Sequence, residues 1–204
     1  LTWSAPDIRQ NWDVESQISY LYSDFRNPTS IRQFPPGAFG QFPEGVLQTP
    51  ELSEENARIH LTALYKGWKE HQVRIGGGYY WGDIFKTTDA VNYVLLPGNP
   101  VPQPRPGGLQ DVSDSPEAFL PENQRTNSHV FVQDEWQMAT DWTLTAGLRH
   151  DHYSDFGGAT NPRLAVVWST SPTLTTKLLY GEAFRAPAFS ELYATHNPVA
   201  LGNP

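Results

Sequence analysis

The chain has 204 residues, with 14 lysines and arginines against 22 aspartates and glutamates, a net charge of -8 and no cysteine. That balance excludes the clustered cations that phosphates require, so no nucleic-acid partner is expected. The missing cysteine excludes a disulfide framework and a thiolate metal site. No stretch approaches the roughly 20 apolar residues of a membrane helix. A start at Leu1, with the only methionine at Met138, and a last triplet Gly-Asn-Pro are expected of a piece cut from a longer chain.

In chain order the apolar pattern has period two, not 3.6. After a short connection read over Ser4 to Asn11, the positions Trp12, Val14, Ile18, Tyr20 and Tyr22 alternate with Asp13, Glu15, Gln17 and Ser19. A long connection follows, from about Asn27 to Ser53. Ile59, Leu61, Ala63 and Tyr65 then alternate with Arg58, His60 and Thr62. After a turn at Lys66 to Glu70, Val73, Ile75, Gly77, Tyr79 and Trp81 alternate with Arg74, Gly76 and Gly78. A second long connection runs from about Lys86 to Gln124. A strand near His129 to Met138 follows, then Trp142, Leu144, Ala146 and Leu148 against Thr143, Thr145, Gly147 and Arg149. Leu164, Val166 and Trp168 form the next, and Leu174, Thr176, Leu178 and Tyr180 the last. This predicts an all-β, antiparallel chain of about seven strands and no helix.

The connections alternate between short and long, which is the habit of transmembrane β-barrels with tight periplasmic turns and extended extracellular loops. Trp3, Trp12, Trp68, Trp136, Trp142 and Trp168 lie near short connections, and Tyr22, Trp81 and Tyr153 at the opposite strand ends. The intervening spans of about ten residues suit a tilted membrane strand, with an aromatic girdle at each interface. A soluble all-β binding or adhesion module shares the alternation but gives no reason for the girdles. Asp134 is out of place: it falls on the apolar face of HVFVQDEWQM, so either a bulge turns it inward or it sits close to the headgroups. The predicted register puts like faces together, with Ala63 near Val73, Met138 near Trp142 and Val166 on the same side as Leu178, and keeps Leu144 and Leu148 off the side of Arg149.

The stretch YGEAFRAPAFSELY, followed by NPVALGNP, resembles the barrel of TonB-dependent outer-membrane receptors, as do FVQDEW, LTAGLRHD, the triplet Asn161-Pro162-Arg163 and HQVRIGGGYYWGD. The likeness covers essentially the whole chain. It implies that residues 1–204 are part of a transmembrane β-barrel domain, about seven strands of a 22-stranded barrel, without the plug, the TonB-contacting box or the C-terminal strands. It further implies an outer-membrane location in a Gram-negative bacterium, contact with outer-membrane lipid, and TonB as partner. The imported ligand is a scarce nutrient, first a ferric siderophore, with haem or cobalamin as alternatives. A passive porin shares the girdles but not the stretch from Phe184 to Pro204. No cofactor and no enzymatic activity are expected.

The family elements here are Phe184, Arg185, Ala186 and Pro187, then Glu191, Leu192 and Tyr193, then Gly202, Asn203 and Pro204, with Asn161, Pro162, Arg163, Arg149 and Asp151. Arg185 continues the inward series Lys177, Leu179, Gly181, where its fork can hold acceptors at the rim or meet an anionic ligand. Pro187, lacking an amide donor, is expected to end the ladder. Ligand contact is expected from loop residues Phe39, Phe42, Tyr93, Arg105 and His196. His196 follows the Phe-Arg-Ala-Pro box as a histidine does in haem receptors of the family. Alternation sends His150 and His152 away from Asp151, so no metal site is read there. Gly76 to Gly78 are expected to admit the plug closely. The carboxylate pairs Glu54/Glu55 and Asp134/Glu135 have no visible partner base or nucleophile.

Overall fold

The computed structural model describes residues 1–99 and 101–194. In chain order its elements are β1 (Thr2–Arg9), β2 (Trp12–Phe25), β3 (Ile31–Phe34), β4 (Val46–Gln48), β5 (Glu51–Tyr65), β6 (His71–Thr88), β7 (Ala90–Val91) and β8 (Tyr93–Val94). They continue as β9 (Gln103–Pro104), β10 (Gln110–Asp111), β11 (Asn123–Ala139), β12 (Trp142–Tyr153), β13 (Gly157–Ser171), β14 (Leu174–Gly181) and a short helix α1 (Phe189–Tyr193). The long strands form one sheet in the order β1-β2-β5-β6-β11-β12-β13-β14, a meander in which each long strand pairs with its successor. Contacts divide the described residues into two compact units, one of residues 1–21, 56–82 and 125–185, the other of 22–55, 83–99, 101–124 and 186–194.

The first unit is a ladder whose register sorts the two faces. Leu148 pairs with Val132 and Pro162, Leu144 with Trp136 and Val166, and Ala146 with Leu164. Val166 in turn opposes Leu178, which puts the two on the same side as expected, and Leu164 opposes Tyr180. Arg149 instead pairs with Phe131 and Asn161, and Arg163 with Gly147 and Gly181. One face is therefore apolar and the other polar. The apolar face is not a core: Leu178 is 73% and Val130 63% exposed. An open antiparallel sheet that leaves this band uncovered is part of a barrel wall whose outer surface meets lipid.

Three expectations need correction. The stretch read as a connection at the start is an eighth strand, β1, paired with β2 from Thr2↔Gln17 to Arg9↔Trp12. Its period is broken by Pro6 and by Asp7 at φ 51°, with a register shift between Ala5 and Arg9. Pro6 lies within that irregular stretch, where a residue without an N–H breaks no regular rung. A helix does exist, α1, although it has only five residues. Strand pairing also stops before Pro187: the last rung is Glu182 N–H donating to Pro162 O at 3.0 Å.

The long connections also carry structure of their own. In the second unit β10-β7-β4-β3 form a small sheet and β8-β9 a hairpin. Phe42, Val46, Val91, Tyr93 and Val112 make a core there, each at most 5% exposed. At its polar centre Gln48 Nε2 donates to Asp89 Oδ2 at 2.7 Å, and the Phe119 N–H donates to the same oxygen at 3.0 Å. The Gln48 carbonyl oxygen accepts from Gln33 Nε2 at 3.1 Å and from the Tyr93 hydroxyl at 3.4 Å. Burial pushes the Asp89 carboxyl above its ordinary 3.8, outweighing those hydrogen bonds, and also pushes the Tyr93 hydroxyl up.

A carboxyl whose folded value is raised favours its neutral form. Its contribution to stability is greatest below 3.8 and falls as pH rises from there through the folded value. Hydrogen exchange at Val46–Gln48 and Ala90–Val91, corrected for intrinsic rates, is expected to slow on acidification in the wild type. Asp89→Asn is expected to flatten that dependence. Asp89→Ala leaves the Gln48 amide and the Phe119 N–H without their acceptor, and is expected to cost about 1–3 kcal/mol of local stability.

Candidate functional site

The polar face of the ladder is built from residues two apart on adjacent strands. On β12 the Arg149 fork donates to Asp151 through Nε at 2.7 Å and Nη2 at 2.8 Å, and Asp151 is 5% exposed. The pair is bidentate between positions i and i+2 of one strand, so it fixes both side chains against the wall. Arg163 on β13 reaches across β12 to donate from Nη2 to Gln133 Oε1 on β11. It can do so because Gly147 lies beneath it: a Cβ there would come 2.9 Å from Arg163 Nε. His60, Phe131, Arg149, Asn161 and Arg163 are among the residues around a concavity of about 330 Å³ on the ladder.

Gly76 and Gly78 have a similar use. A Cβ at Gly76 would lie 2.6 Å from the Phe131 ring, and one at Gly78 2.6 Å from the His129 ring. The space expected to admit the plug is taken by rings of the neighbouring strand. His60 stacks on both, at 5.3 Å from His129 and 5.9 Å from Phe131. His150 lies on the other face, with Nδ1 2.8 Å from Thr160 Oγ1, so His150 and Asp151 are kept apart as the alternation requires. Among the described residues no group of three or more His, Asp or Glu is arranged to hold a metal.

The turn end of the ladder carries a row of rings. Trp12 lies 4.8 Å from Tyr65, Tyr65 5.7 Å from Trp68, Trp68 6.3 Å from His71 and His71 5.3 Å from Trp136, while Trp142 stacks on Trp168 at 5.0 Å. Asp134 sits within this row. It stays in register opposite Ala146, and the nearest irregularity lies beyond it, between Gln137 and Ala139. No bulge turns it inward; His71 Nδ1 meets its Oδ2 at 2.7 Å instead.

At the other end, Arg125 pairs with Asp155 at 2.6 Å, both side chains under 10% exposed, and lies 5.2 Å over the Phe156 ring. Phe156 stacks on Tyr153 at 4.4 Å, and Phe184 closes the cluster at 5.6 Å from Phe156 and 6.1 Å from Tyr153. The first residue of the Phe-Arg-Ala-Pro box is thus a wedge in the wall. Arg185 follows it, exposed and outside any strand, while Ala186 and Pro187 are half-buried. Glu191 accepts the Ala188 N–H at 2.7 Å, which caps the first turn of α1 in place of the side chain Ala188 lacks. Leu192 and Tyr193 complete that helix, with Phe189 6.2 Å from Tyr193. His196, Gly202, Asn203 and Pro204 lie outside the described residues.

The loop candidates divide. Phe42 and Tyr93, expected to meet a ligand, are each 2% exposed in the core of the loop unit, because they supply the apolar volume that lets this short sheet persist. Arg105 donates from Nε to Tyr93 O at 3.3 Å and pairs with Glu117, which ties down the proline-rich hairpin. Phe39 alone of these stays open, 42% exposed, with φ 52° between Gly37 and Gly40 at φ 81° and 70°. A bulky residue in that region is held by its surroundings, here by Phe34 at 5.1 Å.

The family described as TonB dependent receptor-like, beta-barrel, matches residues 1–204. The iron-regulated outer membrane virulence protein of Vibrio cholerae serotype O1 is 39% identical over 72 residues, 35% of this chain and 11% of that protein. The vitamin B12 transporter BtuB of the same organism is 36% identical over 84 residues, 40% of this chain and 13% of that protein. Among solved structures the copper transporter OprC superposes with a TM-score of 0.62 at 14% identity, over 94% of this chain and 30% of that one. The chain belongs to the TonB-dependent receptor β-barrel family and is wall of an outer-membrane barrel. It spans only a small part of the length of the curated relatives it matches.

Removing one partner of a buried ion pair leaves an uncompensated charge. Arg125→Ala is therefore expected to destabilise the rim by about 3–5 kcal/mol in thermal unfolding of the full-length receptor in detergent, and the double variant Arg125→Ala/Asp155→Ala by less than the single.

Proposed function

We propose that this chain is part of an active transport receptor that captures a scarce nutrient outside the cell, a ferric siderophore foremost, and passes it inward when TonB displaces a plug. The observation that carries this reading is the family match over residues 1–204, in a wall whose inner face bears Arg149, Asp151 and Arg163. Iron is favoured by the iron-regulated relative. Cobalamin is the second reading, favoured by the similarity to BtuB over 84 residues.

Ligand contact falls first to Phe39, the exposed loop candidate, with Arg105 and His196 as further candidates. Phe42 and Tyr93 serve by holding the loop unit in shape. Arg185 fastens the rim rather than reading the ligand. Binding of this kind rests on aromatic and polar side chains placed around the cargo, with no bond made or broken.

The test is uptake by the full-length receptor in an iron-starved strain lacking its own siderophore receptors. Iron-siderophore accumulation that disappears without TonB supports the proposal. Accumulation of cyanocobalamin but no iron complex selects the second reading, and TonB-independent flux of small solutes selects a porin. Arg185→Ala is expected to lower the amount of folded receptor while leaving the ligand Kd within about twofold. His196→Ala is expected to leave haemin binding, followed at the Soret band, unchanged.

A further inference from the structure

The inner face holds a pair of imidazoles that the transport reading leaves unused. His60 of β5 and His129 of β11 bring Nδ1 and Nε2 within 3.2 Å of each other. The outer nitrogen of His60, Nε2, lies 3.0 Å from Thr62 Oγ1, while Nδ1 of His129 is buried without a hydrogen-bond partner. Their position is not incidental to the wall. Gly78 is what gives the His129 ring its room, and the Phe131 ring lies nearly parallel to His60, at 6° between planes.

We propose that His60 and His129 form a binding site for a borderline divalent transition-metal ion of the Cu²⁺ or Zn²⁺ class. Two imidazole nitrogens that ligate one tetrahedral ion at about 2.0–2.1 Å stand about 3.3 Å apart, which is close to the separation found here. With the His60 Nε2 proton donated to Thr62, Nδ1 of His60 presents a lone pair, an arrangement the threonine hydroxyl can accept as an outer-shell partner does. His129 presents Nε2 once its proton moves to Nδ1, a shift between tautomers that leaves the ring neutral. The charge nearest in register to His129 is the Asp151 carboxylate, held by Arg149 in a bidentate pair, so the guanidinium that would repel an incoming ion is partly offset by its own anion. Two protein ligands leave the remaining positions to water or to a solute, so the ion is exchangeable. The site rests on side chains of β5 and β11 alone and is independent of which cargo the receptor carries.

The test uses full-length receptor in detergent with copper(II) chloride as the probe. The electron paramagnetic resonance spectrum of the wild type is expected to show hyperfine coupling to two imidazole nitrogens at one equivalent of copper, with zinc(II) chloride displacing it. His60→Gln and His129→Gln are each expected to weaken binding at least tenfold. His150→Gln, on the opposite face, is expected to change it less than twofold, and Thr62→Val to weaken it while keeping both nitrogens. Heat-modifiable gel mobility reports that each variant is a folded barrel. A wild-type spectrum without two coupled nitrogens overturns the site, as does full-strength binding in folded His60→Gln or His129→Gln. The wild-type spectrum decides the matter even where a variant does not fold.

Discussion

Everything in the ladder depends on one constraint. A strand in hydrocarbon must pair every backbone N–H and C=O with its neighbours, and the pairing it adopts also decides which side chains meet lipid. Between β11, β12 and β13 the pairing runs without a break from Asn127↔Tyr153 to Gln137↔Thr143, and from Tyr153↔Gly157 to Trp142↔Trp168. A slip of one residue would carry Arg149 and Arg163 into lipid and turn Leu148, Leu164 and Leu178 inward. Charged side chains at the middle of a bilayer cost about 2–4 kcal/mol each on the lipid face, so the register is strongly specified. The glycines follow from it. Gly147, Gly76 and Gly78 stand where Arg163, Phe131 and His129 cross the adjacent strand.

Asp134 and His71 show how a breach of the pattern is tolerated. The carboxylate keeps its place opposite Ala146, and the register is not shifted to remove it. His71 meets it at 2.7 Å, and Trp136 stacks on that imidazole at 5.3 Å, within the row of rings at the turn end. There the surroundings are interfacial, and a paired carboxylate costs far less than at mid-membrane. The buried Arg125–Asp155 pair at the other end works by similar logic, covered by the Phe156 ring, on which Phe184 packs in turn. The sequence motif that carries the family likeness is thus tied through its phenylalanine to the stability of the rim.

Much of the wall was legible from alternation alone, because each long strand contains enough residues for period two to be counted. Val166 against Leu178, the separation of His150 from Asp151 and the two aromatic ends follow from that count. β1 was not legible: Pro6 and the positive φ of Asp7 interrupt its period between Ala5 and Arg9, where the register with β2 shifts. The loop unit was not legible either, since strands of two to four residues carry no period, and its core joins positions far apart in the chain, such as Gln48 and Asp89. That is why Phe42 and Tyr93 read as exposed ligand contacts and are in fact its interior. The partners His60 and His129, 69 residues apart, had no local signal that could pair them. Arg149 with Asp151, two residues apart on one face, could have been paired from spacing.

The most direct test is a nitroxide scan along β12 of the full-length receptor in lipid vesicles, one labelled cysteine at a time from position 143 to 149; these 204 residues contribute no other cysteine, and any elsewhere in the receptor is first replaced by serine. Collision rates with oxygen, which partitions into hydrocarbon, should be high at Leu144, Ala146 and Leu148 and low at Thr143, Thr145, Gly147 and Arg149. A water-soluble nickel chelate should show no preference for the first set. Accessibility without period two, or with the two sets exchanged, would contradict the assignment of this face to lipid and with it the reading of the chain as barrel wall.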